Sequence, residues 1–261
     1  MNMVWLWSLQ ELDILNINIR KLHLCIDIGN SRVKMAVLDI NNNIVGKKMT
    51  QNPSIRATRS LIKLHNLKGG IVSSTRQLDL EYVKKVRDLI PLIILDHHTS
   101  IPIKSVYETP ETLGKDRLAG IIGAFGLFGM SASCVVDIGT CITFDVINEG
   151  IYLGGNISPG IHLRIKAMHA YTDKLPLVEH AINGNIIGTS TVKALQNGAF
   201  YGTKGEIESF IRQLKQQFGK INVIFTGGDA HLFAEHMESK IFVRPYLVLE
   251  GLNEIIKYNA A

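Results

Sequence analysis

A chain of 261 residues that is 46% hydrophobic and 20% charged has room for one large globular domain or two of ordinary size, and its composition excludes a disordered or fibrous protein. The formal charge of +5, with a pI near 9.0, is spread thinly. No Lys/Arg cluster exceeds a pair such as Lys47-Lys48 or Lys84-Lys85, which excludes the basic stripe of a nucleic-acid binder and leaves anionic small molecules as the partners that the excess suits.

Residues 1–20 stand outside the pattern of the rest. They are expected to be an arm that docks Trp5 and Trp7, or the product of an upstream start codon. They lack a basic start, and Gln10, Glu11 and Asp13 interrupt their apolar part, so they do not read as a signal peptide. A first domain is expected over 21–118. An apolar strand over 22–28 runs into Asp27-Ile28-Gly29-Asn30-Ser31, and a second strand follows over 33–39. Asn41-Asn42-Asn43 reads as a turn, followed by a strand over 44–49, a helix over 54–65 and a buried strand over 70–75 ending in small hydroxyls. Leu80, Val83, Val86, Leu89 and Ile90 share one helical face, Pro91 stops that helix, and 92–95 is a further strand.

Residues 118–136 carry no charge and meet the length of a membrane span, but the glycines and serines among them favour a packed helix of about three turns, a loop and a buried strand. A second domain over 119–261 then repeats the scheme. Cys134-Val135-Val136 leads into Asp137-Ile138-Gly139-Thr140-Cys141, with a return strand over 142–147. A strand and glycine turn are expected at Tyr152-Leu153-Gly154-Gly155, and a helix after Ser158-Pro159-Gly160 through Met168. Extra material over 170–220 includes a helix over 191–201. A strand from 222 ends at Thr226-Gly227-Gly228-Asp229-Ala230 and is followed by a helix over 231–238 and a strand over 241–244. Alternating strands and helices define an α/β protein, here duplicated.

One Asp-x-Gly turn is ordinary hairpin punctuation, but two in equivalent contexts point to a ligand. Glycine lets a backbone approach closely, exposed N–H groups and short hydroxyls suit phosphate oxygens, and a carboxylate suits a hydrated cation. The duplicated plan resembles the acetate and sugar kinase, Hsp70 and actin superfamily, with ribonuclease H-like (actin-like ATPase) domains on either side of an interdomain cleft. In that superfamily two such hairpins grip the ATP phosphates and a later Gly-Gly loop contacts adenosine. Tyr107, followed by Gly114-Lys115-Asp116-Arg117, looks like the tyrosine and Gly-x-Asp-Arg motif of type III pantothenate kinases. With Gly154-Gly155-Asn156-Ile157-Ser158-Pro159-Gly160 and the 226–230 loop, the resemblance covers roughly residues 22–256.

That resemblance implies ATP-dependent phosphorylation of pantothenate, the first step of coenzyme A synthesis. Asp27, Ile28, Gly29, Asn30, Ser31, Arg32, Val33 and Lys34 would form the first phosphate loop, with Asp27 holding Mg2+ at the phosphates. Thr140, Gly227 and Gly228 would also contact ATP. Asp116 would be the general base. Tyr107, Gly114, Lys115, Asp116 and Arg117 would line the pantothenate pocket, with Arg117 gripping the substrate carboxylate in bidentate fashion. Asp137 would bind K+ or NH4+. Thr191 aligns with a substrate-contacting threonine, although Gly188-Thr189-Ser190-Thr191 replaces the Gly-Lys-Asn-Thr pattern. A homodimer is also implied.

Taken alone, Asp116-Arg117 would read as a surface ion pair at a helix start, where the dipole favours an acidic residue. A phosphohydrolase of the same fold, or an accessory factor for transcription, are the rival readings; neither needs the base, Asp116, and the pantothenate pocket together. Three cysteines without Cys-x-x-Cys spacing fit a reducing, cytoplasmic compartment, with Cys25 and Cys134 buried and Cys141 at a loop tip. The nine histidines form no His-x-x-x-His pair, so no zinc site is expected.

Overall fold

The computed structural model describes residues 22–182 and 184–260, so the expected N-terminal arm lies outside the described residues. The chain forms two compact units, one comprising the described residues up to Ile101 together with Leu252 onward, the other Pro102–Gly251.

The first unit is built on a five-stranded sheet of order β3-β2-β1-β4-β5. The hairpin of β1 (His23–Ile28) and β2 (Val33–Leu38) is antiparallel and continues into antiparallel β3 (Ile44–Thr50). β4 (Gly70–Ser74) and β5 (Leu92–Ile94) add in parallel on the other side of β1. Two amphipathic helices make the connections, one from β3 to β4 and one from β4 to β5. Ser54 caps α1 (Ile55–His65) by accepting from Ala57 N, and Asn66 closes it in the left-handed conformation at φ 48°. Asp79 caps α2 (Leu80–Arg87) by accepting from Tyr82 N. Leu61, Ile62, Val83 and Val86 from these helices bury against Leu24, Ile26, Met35 and Val72 of the sheet. Within this core the Thr58 and Tyr82 hydroxyls meet at 2.8 Å, so both buried polar tips are satisfied.

The second unit repeats this order, with one strand added at an edge: β11-β10-β7-β8-β9-β6. β7 (Ser133–Ile138) and β8 (Cys141–Asn148) form the equivalent hairpin, and β9 (Ile151–Pro159) follows antiparallel. β10 (Asn222–Thr226) and β11 (Phe242–Val243) lie parallel on the far side of β7. The extra strand β6 (Lys104–Ser105) pairs in parallel with β9, and α3 (Lys115–Phe128) packs on β7 and β8. Those contacts tie 102–118 to the second sheet, whereas the repeat places it in the first domain.

The charge-free stretch 118–136 forms, as expected, a packed helix (within α3), a loop and the start of β7. α3 is closely approached by α7 (Leu247–Ala260): a Cβ on Gly123 would stand 2.6 Å from the Leu247 carbonyl oxygen, so glycine permits the crossing. Among the described residues no helix is long and apolar enough to cross a membrane.

Three elements differ from the sequence expectation. The turn expected at Gly154-Gly155 is instead part of nine-residue β9. There the register shifts between Val146 and Ile147, Gly154 takes φ +109°, and a Cβ on Gly155 would stand 1.5 Å from the Phe144 carbonyl oxygen. The glycines thus accommodate a bulge in a continuing strand. The helix expected over 191–201 is α5 (Thr191–Phe218), which runs on through Gly198, Gly202 and Gly205 because Ile207, Ile211 and Leu214 keep one face buried. The helix expected over 231–238 is the shorter α6 (Ala230–Ala234). α4 (Ile161–Ala170) follows Gly160 as expected.

Candidate active site

In the first unit, Asp27 stands at the end of β1, opposite Lys34 of β2 and Ser73 of β4 in the strand registers. Its carboxylate is buried, and Oδ1 accepts from Ser73 Oγ at 3.0 Å. The tip Gly29-Asn30-Ser31-Arg32 is closed by Gly29 N donating to Arg32 O at 3.0 Å. Asn30, Ser31 and Arg32 are exposed, Gly29 and Lys34 are half-buried, and Ile28 and Val33 pin the base of the tip into the core. Thr75 N donates to Ile28 O at 3.1 Å, anchoring the tip to the end of β4.

The second unit repeats this down to the hydrogen bonds. Asp137 stands opposite Thr143 of β8 and Thr226 of β10, and Asp229 N donates to Ile138 O at 2.9 Å, as Thr75 does to Ile28. The tip is one residue shorter, closed by Gly139 N donating to Cys141 O at 3.0 Å. Three further pieces gather at this tip. Gly160 N, at the start of α4, donates to Thr140 O at 3.0 Å. Gly227, at φ +95°, passes so near that a Cβ would stand 2.3 Å from Ile138 O and 2.5 Å from Asp137 Oδ1. Exposed Thr140 and Gly228 complete the rim. The first-turn N–H groups of α4 have no partners within that helix, and such a terminus favours anionic oxygens.

The Gly-x-Asp-Arg residues open α3. Gly114 is its N-cap, and Asp116 and Arg117 occupy the first turn. Asp116 is half-buried, and Oδ1 accepts from Arg117 N at 2.8 Å. Burial pushes its carboxyl above the ordinary carboxylate value, with the nearby Asp145 charge acting in the same direction. Lys115 Nζ is buried without a hydrogen-bond partner.

Arg117 is buried and clamped on one edge. Nε lies 3.0 and 3.3 Å from the two oxygens of Asp145, and Nη2 lies 2.8 Å from Asp145 Oδ1 and 3.1 Å from the Tyr152 hydroxyl. Tyr152, fully buried, donates its own hydroxyl to Asp145 Oδ1 at 2.6 Å. Nη1 lies 3.5 Å from the Tyr107 hydroxyl, and the guanidinium carbon sits 5.7 Å from the Tyr107 ring centre. Burial acts to lower the Arg117 pKa, but the Asp145 carboxylate outweighs it and holds the guanidinium charged. Strand β6 places Tyr107: Val106 N donates to Tyr152 O at 3.1 Å, and the two tyrosine rings stack at 5.8 Å. The structure therefore brings Tyr107, Asp116 and Arg117 together and adds Asp145 and Tyr152, which motif reading missed. Their signal was a charged residue inside the apolar run 142–147 and a tyrosine on the next strand.

Thr191 is exposed at the start of α5, where Ser190 caps the helix by accepting from Lys193 N. Asn197 Nδ2 donates to the carbonyls of Asn185 and Ile186, holding the preceding loop. Gly184, Asn185, Ile187, Thr189 and Lys193 line a cavity of about 290 Å³ beside it. Cys25 and Cys134 are buried and burial raises both thiol pKa values, while Cys141 is exposed at the second tip.

Paired hairpin-first sheets with an aspartate at each tip are the plan of the actin-like ATPases. Solved structures agree at the level of fold. A Campylobacter jejuni protein described as a Baf family transcriptional activator superposes with a TM-score of 0.59 at 23% identity, covering 91% of this chain and 98% of that one. The 2-hydroxyglutaryl-CoA dehydratase component A of Acidaminococcus fermentans gives a TM-score of 0.50 at 14% identity, covering 91% and 97%. Sequence comparison is more specific. The model of the type III pantothenate kinase family matches residues 23–213. Type III pantothenate kinases of Bacteroides fragilis and Porphyromonas gingivalis are 37% and 39% identical, each over 91% of this chain and 98% of their own length. The chain belongs to the type III pantothenate kinase family, ATP-dependent kinases of coenzyme A biosynthesis.

Proposed function

We propose that this kinase transfers the γ-phosphoryl group of ATP to the primary alcohol of pantothenate, giving 4'-phosphopantothenate, with Asp116 as general base. The observation that carries this reading is the first turn of α3. It sets a carboxylate whose pKa burial has raised beside an arginine whose orientation is locked by Asp145. As the alcohol oxygen bonds to phosphorus, Asp116 takes its proton, and the bond to the bridging oxygen of ADP breaks. Phosphoryl transfer asks mainly for positioning and neutralisation of charge, so one carboxylate and fixed cations suffice.

For ATP, Asp27 to Lys34 are the phosphate loop, acting through tip N–H groups and side chains, Thr140 is a contact from the second tip, and Gly227 and Gly228, in the loop after β10, meet adenosine. Tyr107, Gly114, Lys115 and Arg117 receive pantothenate, and Thr191 adds a hydroxyl. The buried, unpartnered Lys115 ammonium supports an anionic ligand for this pocket. Mg2+ commonly binds through one or two carboxylates plus substrate phosphates, and the buried Asp27 carboxylate fits such a role. Asp137 offers the hard oxygen that a monovalent cation, K+ or NH4+, accepts. Ions bound there would supply neutralisation of phosphate charge. The active species is a homodimer in the cytoplasm.

ADP release is the test, followed with ATP, Mg2+ and K+ in the presence and absence of pantothenate. Release that depends on pantothenate, with phosphopantothenate as product, is expected. Release at the same rate without it would make the protein an ATP hydrolase.

A further inference from the structure

We propose that Asp145 is a positioning residue for the acceptor substrate: with Tyr152 it occupies the Nε–Nη2 edge of Arg117 and leaves Nη1, beside the Tyr107 hydroxyl, to meet the substrate's anionic group. The inference rests on the reading that Arg117 receives that anion.

A guanidinium has five N–H donors in a fixed fork. Nε and Nη2 carry three of them, and these are spent on two Asp145 oxygens and the Tyr152 hydroxyl at 2.8–3.3 Å. Nη1 carries the other two and has the long, 3.5 Å approach of Tyr107. A substrate carboxylate therefore meets a single nitrogen rather than the two-nitrogen edge that bidentate recognition uses. The Tyr107 hydroxyl stands where it can take up the second half of the contact.

Asp145 is suited to this task and to no direct one. It lies in the middle of β8, paired with Val135 on one side and Gly155 on the other, and is 1% exposed, so substrate does not reach it. Replacing such an ion pair by apolar side chains is often neutral or stabilising, so stability alone is weak reason for its presence. Fixing one rotamer of Arg117 is a sufficient reason. Tyr152 tightens the arrangement, since its hydroxyl bridges Asp145 Oδ1 and Nη2.

The test is a cycle of variants of the full chain: Asp145→Asn, Arg117→Gln, and both together, with KM for pantothenate, KM for ATP and kcat measured for each. Asp145→Asn is expected to raise the pantothenate KM at least about tenfold, the scale of a charge-assisted hydrogen bond, with the ATP KM within about twofold. In the Arg117→Gln background the same change is expected to add nothing to KM, because the residue through which it acts is gone. A purely structural Asp145 would lower kcat through loss of folded protein and leave the pantothenate KM alone, and that result would overturn the proposal. So would penalties that multiply in the double variant. If Asp145→Asn fails to fold, Tyr152→Phe carries the same cycle, with an expected rise in KM of about tenfold, since the lost hydroxyl bonds to two charged groups, the Asp145 carboxylate and the Arg117 guanidinium. Wild-type turnover of pantothenate, measured first, isolates a failure of the kinase reading. An unchanged KM in Arg117→Gln would remove the role of Arg117, and the proposal with it.

Discussion

Asp137 and Gly227 are packed so closely that a Cβ on Gly227 would stand 2.5 Å from Asp137 Oδ1. The second hairpin tip and the loop after β10 are thus one construction, in which a side chain at 227 and the present position of the Asp137 carboxylate exclude each other. At φ +95° an alanine is also strained, by about 1–3 kcal/mol. Gly227→Ala is expected to lower the unfolding temperature and to weaken ATP binding beyond what its stability loss explains. Calorimetric ATP titration of the folded variant checks this; wild-type affinity would separate the loop from the nucleotide.

Asp137 also governs the cation expectation. Exchanging K+ for Na+ is expected to suppress turnover in the wild type and to have little further effect in Asp137→Asn. Steady-state rates at constant ionic strength are the measurement, and an equal wild-type rate in Na+ would contradict the assignment.

The raised pKa of Asp116 has two consequences of opposite sign. A base must be ionised, so kcat/KM is expected to fall on the acid side through an apparent pKa above the ordinary carboxylate value of 3.8. Folding responds the other way. Because the folded pKa exceeds the unfolded one, the contribution of Asp116 to stability is fully present below the unfolded pKa and is lost as pH rises through the folded pKa. Asp116→Asn is therefore expected to be more stable than the wild type at neutral pH, with the gain fading in acid. Thermal unfolding of both proteins from about pH 3 to pH 8, spanning the carboxylate range, reads this directly.

Much of the architecture was legible because its cause is local. The two hairpins follow from apolar runs broken at Asp-x-Gly, and α1 and α2 from caps and a 3.6-residue face. The glycines misled where their cause is distant. Gly154 and Gly155 look like a turn until they are known to pair with Val146 and Asp145, with the Phe144 carbonyl oxygen against Gly155, and only then is the bulge in β9 the reason for them. The helix expected to end at 201 has Gly202 and Gly205 just beyond it, yet burial of Ile207, Ile211 and Leu214 carries α5 past them. Arg117 and Asp116 were found by motif, but Asp145 lies 28 positions further on. Its partner became visible only once β8 was placed against α3.

The bulge supplies its own check. Gly155→Ala puts a Cβ 1.5 Å from the Phe144 carbonyl oxygen, in the pairing that aligns Asp145. A loss of about 3 kcal/mol or more is expected in denaturant unfolding. A cost near that of a surface substitution would show that the bulge can relax.

The most direct measurement is the turnover of Asp116→Asn alongside its ATP affinity. Removal of the base is expected to lower kcat by roughly a hundredfold or more while ATP binds nearly as before. Wild-type turnover in that variant would take Asp116 out of the mechanism.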